Sequence, residues 1–140
     1  MKMAIIGSSI LAPAILFLML QYEAIHSAPT TYLVGDEEGW DLSISLEGWP
    51  KGKDLHAGDI LEFIYDREDF NVVVVNQTGH DTCTVNDGAT EFNSGDDKIP
   101  LIFGANYFIC SKKEGACAVG MKMAINATAP PPPPPPPPSK

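Results

Sequence analysis

The stretch GDILEFIYDREDFNVVVV, residues 58–75, contains the clearest β-strand signals in the chain. Residues 60–65 alternate as in an extended chain, with one face formed by Ile60, Glu62 and Ile64 and the other by Leu61, Phe63 and Tyr65. Residues 72–75 are four consecutive valines, a pattern typical of a strand that is buried on both faces. The charged residues between them, 66–69, predict a solvated loop. The stretch therefore predicts two strands joined by a short connection.

Further strand signals follow towards the C-terminus. The apolar runs 99–103 and 106–110 flank Gly104-Ala105 and predict a hairpin, and Asp96-Asp97 predicts a turn. Residues 120–127 alternate again, with methionines and isoleucine on one face. No stripe with a 3.6-residue period is long enough for a substantial helix beyond residue 27. Several short strands at this spacing predict a single all-β domain, either a sandwich or a barrel.

Both ends of the chain differ from this pattern. Residues 1–27 predict a secretory signal peptide, because Lys2 precedes an apolar run over 5–20 and small residues follow at 27 and 28. The alternative of a membrane anchor is disfavoured, since about 20 residues are needed to span a bilayer and this run is shorter and contains Pro13. We therefore expect a secreted protein with no transmembrane span in the mature chain.

The C-terminal segment 129–140 is dominated by nine consecutive prolines, residues 130–138. Such a run cannot donate backbone hydrogen bonds and forms an extended polyproline II rod. We expect a spacer or tail here, with no hydrophobic stretch of the kind that a lipid-anchor signal requires. The folded domain is accordingly placed at residues 28–128.

Charge and motif content narrow the functional classes. The 140 residues include 9 Lys and Arg and 18 Asp and Glu, giving a net charge of −9. The basic residues form no stripe, so we expect no nucleic-acid partner. No nucleophile–base–acid signature is present, and we expect no enzymatic activity.

The cysteines and two short motifs fit an extracellular protein. In an oxidising compartment two of Cys83, Cys110 and Cys117 are expected to pair, leaving one thiol free. Cys110 ends an apolar run and is expected to be buried as a small hydrophobe. Asn76 and Asn126 each begin an N-glycosylation motif, and both predict modified surface positions.

Taken together in order and spacing, several segments resemble the plant phytocyanins, which include stellacyanins, uclacyanins, plantacyanins and early nodulin-like proteins. The resemblance rests on the segments TYLVGDEEGW (31–40), Trp49, residues 58–65, Asp81-Thr-Cys83, NYFIC (106–110) and CAVGMK (117–122). It implies a Greek-key β-sandwich of the cupredoxin type, secreted, with one disulfide between Cys83 and Cys117.

The resemblance also identifies where copper-binding phytocyanins place their ligands. Blue-copper sites use two histidines, one cysteine thiolate and a weak axial ligand. The thiolate position is Cys110 and the axial position is Met121, while the two histidine positions hold Phe70 and Ala116. The loop 111–116 is one residue longer than is usual in the family. We therefore expect no copper, with Cys110 and Met121 as remnants in an apolar plug.

One histidine remains as a weak candidate ligand. His80 lies three residues before Cys83, and the predicted disulfide would bring it near Ala116. His56 precedes the strand at 60–65 and is expected at the surface.

The resemblance supports two functional hypotheses. The first is a copper-free protein with a non-enzymatic binding or structural role at the plant cell surface or wall, towards cell-wall polysaccharide or arabinogalactan protein. The alternative is a type 1 copper electron-transfer protein of the same family.

Overall fold

The computed structural model describes residues 28–130 and 135–138. The predicted signal peptide lies outside the described residues, as does half of the predicted tail (131–134, 139 and 140), so these boundaries stay predictions. Residues 29–130 form one of two units into which the chain divides, and all the elements below belong to it.

Seven strands form two sheets. The strands are β1 (Thr31–Leu33), β2 (Ile60–Ile64), β3 (Val72–Val75), β4 (Thr90–Phe92), β5 (Asp96–Pro100), β6 (Gly104–Ile109) and β7 (Lys122–Ala127). One sheet has the order β1-β2-β5 and the other β4-β3-β6-β7. All pairings are antiparallel except β1 with β2, which run parallel. A 3-10 turn (Asp36–Glu38) and one helix, α1 (Gln77–Thr82), complete the described elements.

The two sheets pack face to face around one main core. Phe63 of β2 and Phe108 of β6 meet with ring centroids 5.2 Å apart. Trp40 packs edge-on against Phe63 and donates its indole N–H to the backbone oxygen of Asn71 over 2.9 Å. Alternation places Leu61 and Phe63 inside and Ile64 outside, as the period-2 pattern predicts. The predicted all-β sandwich is confirmed.

A second, smaller cluster covers the outer face of the four-stranded sheet. It contains Val73, Val75, Ile109 and Cys117, with Tyr107 packed against it. The run of valines in β3 is buried on both faces for this reason. The predicted disulfide is present here, since Cys83 and Cys117 are bonded with their Cα atoms 5.8 Å apart. Closing a loop of this length stabilises the fold by about 4 kcal/mol in the chain-entropy description.

The predicted hairpin around Gly104-Ala105 is wrong. β5 pairs with β2, whereas β6 pairs with β3 and β7, so the connection at 101–103 carries the chain from one sheet to the other. Asn106 holds this connection: its side chain accepts a hydrogen bond from the N–H of Ile102 and donates to the carbonyls of Ile102 and Gly104. Turn-forming residues indicate a change of direction but not which strands pair.

The predicted turn at Asp96-Asp97 is also wrong, because both residues lie in β5. Asp97 is buried, and it accepts hydrogen bonds from the hydroxyls of Tyr65 and Ser94. Burial and the hydrogen bond to this carboxylate raise the pKa of Tyr65 to about 12. Two consecutive aspartates suggested a solvent-exposed turn. In β5, however, the side chain of Asp97 is buried and is bound by two hydroxyl groups.

Candidate functional site

Four residues at one end of the sandwich carry the positions that the resemblance assigned to metal ligands. Phe70 enters β3, Cys110 follows β6, Met121 precedes β7, and Ala116 lies in the loop between β6 and β7. All four are buried and belong to the main core cluster, with Phe70 only 6% exposed. The structure therefore brings together one position before β3 and three from the β6–β7 connection in the same apolar core.

Backbone hydrogen bonds fix this end. The N–H of Cys110 donates to the carbonyl of Met121 over 3.0 Å, and the N–H of Met121 donates to the carbonyl of Ala116 over 2.9 Å. The N–H of Phe70 donates to the carbonyl of Asp66 over 2.9 Å. Main-chain contacts of Cys110, Ala116 and Met121 thus close the connection between β6 and β7. From outside, the ammonium of Lys113 lies 5.9 Å from the centroid of the Phe70 ring, within cation–π range.

The chemistry of these side chains does not fit a blue-copper site. A thiol and a thioether are present, but a phenyl ring and a methyl group stand where two imidazole nitrogens would be needed. Across residues 28–130 and 135–138, no group of three or more His, Cys, Asp and Glu side chains is arranged to hold a metal ion. These four residues therefore do not fit a blue-copper site, because they lack the two nitrogen donors that it needs.

His80, the weak candidate ligand, directs both ring nitrogens at carboxylates. It lies on α1 with its side chain 12% exposed, and Nδ1 is 2.9 Å from a carboxylate oxygen of Asp81. Its Nε2 is 3.6 Å from Glu47 and has no hydrogen-bond partner. The ring packs on Tyr107, and Lys122 donates to the His80 carbonyl. These contacts tie α1 to the surrounding segments.

The remaining predicted positions lie at the surface or close to it. His56 is half-buried between the carboxylates of Asp54 and Asp59, each 3.6 Å away. Asn126 is exposed on β7, the edge strand of its sheet. Asn76 is exposed and caps α1, its Oδ1 accepting from the N–H of Gly79 over 2.8 Å. The capping oxygen leaves the Nδ2 of Asn76 free for the predicted glycan.

A polar network next to Phe70 was not predicted. Asn71 is only 2% exposed, yet all of its side-chain polar atoms have partners. Its Oδ1 accepts from the N–H groups of Ser111 and Lys112 over 2.8 and 3.0 Å, and its Nδ2 donates to Glu91 and to the hydroxyl of Ser111. One polar residue inside the run FNVVVV was the signal that could have indicated this network.

An open groove of about 320 Å³ lies against this network. Its lining residues are Asn71, Glu91, Asn93, Ser111 and Lys112. It is formed by the edge strand β4 and the loop after β6, segments that are distant in sequence. No apolar side chain is among its lining residues, so hydrogen bonding is the chemistry that this surface offers.

A two-sheet β-sandwich with one disulfide and an incomplete sulfur-containing site at one end defines a cupredoxin-like protein. The family described as "Plastocyanin-like domain" matches residues 40–121. The chain belongs to this family and, within it, to the phytocyanins.

Named relatives and a solved structure support this membership. Early nodulin-like protein 22 of Arabidopsis thaliana is 54% identical, covering 73% of each chain. Chemocyanin of Lilium longiflorum is 43% identical over 84% of this chain and 90% of its own length. The structure of cucumber basic protein, a blue copper protein, superposes with a TM-score of 0.66 at 49% identity, covering 70% of this chain and 99% of that one. No helix in the described part of the chain is long and apolar enough to cross a membrane.

Proposed function

We propose that this chain is a phytocyanin without a blue-copper site, with a non-enzymatic binding or structural role at the plant cell surface or wall. One observation carries the proposal: Phe70 and Ala116 are buried in the same apolar cluster as Cys110 and Met121. A copper ion at this place would have two sulfur ligands and no nitrogen, and a phenyl ring would take up space that the metal needs.

The location and the partner belong to the same proposal. Phytocyanins are typically extracellular or cell-surface proteins, and the predicted signal peptide and glycosylation motifs agree with that setting. The partners we propose are cell-wall polysaccharide or arabinogalactan protein. The binding or structural role is supported by the likeness to early nodulin-like proteins, one of which is 54% identical to this chain.

The second candidate is a type 1 copper electron carrier. Two observations favour it: Cys110 and Met121 are retained, and relatives are named basic blue protein and blue copper protein. This function would require a site built without the two imidazoles.

Copper titration separates the two functions. A blue-copper site shows intense visible absorption from thiolate-to-copper charge transfer. We expect no such band from the unmodified protein, nor from Phe70→His alone, since one imidazole is still missing. The double variant Phe70→His with Ala116→His supplies both imidazoles, which are the minimum that a blue-copper site needs beside Cys110 and Met121. If the unmodified protein binds one copper ion with this band, the copper-free proposal is wrong and electron transfer is the function.

A further inference from the structure

We propose that the groove beside Asn71 binds a neutral pyranose unit of a glycan chain. This inference rests on the proposed binding function and names its site and ligand class. The groove lies outside the apolar cluster that holds the former ligand positions. It therefore does not depend on any metal.

The groove is built before any ligand arrives. Asn71 is almost wholly buried and binds β4 through Glu91 and the β6–β7 loop through Ser111 and Lys112, with all its contacts between 2.8 and 3.1 Å. Lys112 is held further, because its ammonium donates to the carbonyl of Arg67. A site whose polar groups are already oriented loses little conformational freedom on binding.

The lining groups have unused hydrogen-bonding capacity. Within residues 28–130 the amide side chain of Asn93 makes no hydrogen bond, so two donors and one acceptor are free. Glu91 accepts from Asn71 through Oε2 and retains Oε1. The Ser111 hydroxyl accepts from Asn71 and can still donate, and the Lys112 ammonium retains two N–H groups.

This mixture of donors and acceptors selects the ligand class. Sugar hydroxyls both donate and accept, and they match a lining with an amide, a hydroxyl, a carboxylate and an ammonium. The charges of Glu91 and Lys112 offset each other in the lining, and the protein as a whole carries −9. A neutral glycan is therefore favoured over a polyuronate, which the net charge would repel. The open shape allows the chain to continue beyond the bound unit.

The volume agrees with this class of ligand. About 320 Å³ lies at the lower end of the range for small-molecule sites, about 300–1,000 Å³. Without an aromatic side chain in the lining, affinity depends on the directed hydrogen bonds. Loss of a single partner in the groove should consequently be measurable.

The test is calorimetric titration of the protein, expressed from its whole coding sequence in plant cells, with cellohexaose as the neutral probe. Asn93→Ala and Glu91→Gln are each expected to weaken binding about fivefold to tenfold, as for loss of one or two hydrogen bonds. Gln77→Ala is the control, since this exposed amide lies on α1 away from the lining residues. It is expected to bind within about twofold of the unmodified protein.

The possible failures can be told apart. If cellohexaose binds but neither groove variant weakens it, the groove is not the site, although a binding role stands. If hexagalacturonate binds and cellohexaose does not, the neutral ligand class is wrong; no binding of either probe also overturns this inference. Failure of the copper-free proposal would appear separately, as the charge-transfer band on copper addition.

Discussion

Phe70 and Asn71 are neighbours in the chain, yet they belong to chemically opposite regions. Phe70 faces the apolar core with Cys110 and Met121, while Asn71 is the centre of a hydrogen-bond network that borders an open groove. Successive residues of an extended chain point to opposite sides, so the entry to β3 serves both regions.

The difference shows that two regions at this end of the sandwich meet separate packing requirements. The apolar region requires only that its space is filled, as the buried side chains of Phe70 and Ala116 do. The polar region is complete when every buried donor and acceptor has a partner. The side-chain hydrogen bonds of Asn71 involve none of the side chains that fill the apolar region, so the network does not depend on their identity.

The largest effect is expected from emptying the apolar region. Phe70→Ala should lower the free energy of unfolding by about 3–5 kcal/mol, because a buried ring is replaced by a cavity. Urea denaturation measures this change. Phe103→Ala is the matched control, since that ring is 71% exposed and its loss should cost less than about 0.5 kcal/mol. Equal losses in the free energy of unfolding for both variants would contradict the interpretation that Phe70 fills an apolar plug.

A smaller effect is expected from breaking the polar network. Asn71→Ala should cost about 2–3 kcal/mol, because the N–H groups of Ser111 and Lys112 lose their acceptor in a partly buried place. Asn93→Ala removes the same kind of side chain from the same groove but breaks no hydrogen bond, so unfolding should be unchanged within about 0.5 kcal/mol. Thermal and urea unfolding of the pair would show whether Asn71 organises the groove.

The smallest effect is expected at Cys110 and tests whether its thiol is a filler. Cys110→Ala should cost about 1 kcal/mol, whereas Cys110→Ser should cost about 2 kcal/mol because it buries a hydroxyl among apolar side chains. Urea denaturation of both variants gives the order. If serine were tolerated better than alanine, the surroundings of Cys110 would be polar and the comparison with Asn71 would fail.

The parts of the fold that could be predicted were those with strong local periodicity. Alternating side chains predicted β2 and β7, and the run of valines predicted β3. β4 has three residues and α1 has six, too few for a period to emerge. The wrong hairpin at Gly104 had a different cause, since which strands pair depends on contacts with β2 and β3, far away in sequence.

The site divides in the same way. The family resemblance assigned the positions of Phe70, Cys110, Ala116 and Met121 from short motifs, and the structure places all four in one buried cluster. The groove could not be predicted, because Glu91 and Ser111 approach each other only through the buried amide of Asn71. A residue's local pattern does not reveal partners that tertiary packing supplies.

The free thiol has a consequence for synthesis. Cys110 lies only seven residues before Cys117 in the chain, so two thiols compete for Cys83 until the domain has folded. Thiol–disulfide exchange requires access to the attacking sulfur, so a mispaired bond can form until β6 is covered by β7. In the folded domain Cys110 is buried, so its thiol has no access to the Cys83–Cys117 bond and cannot exchange with it.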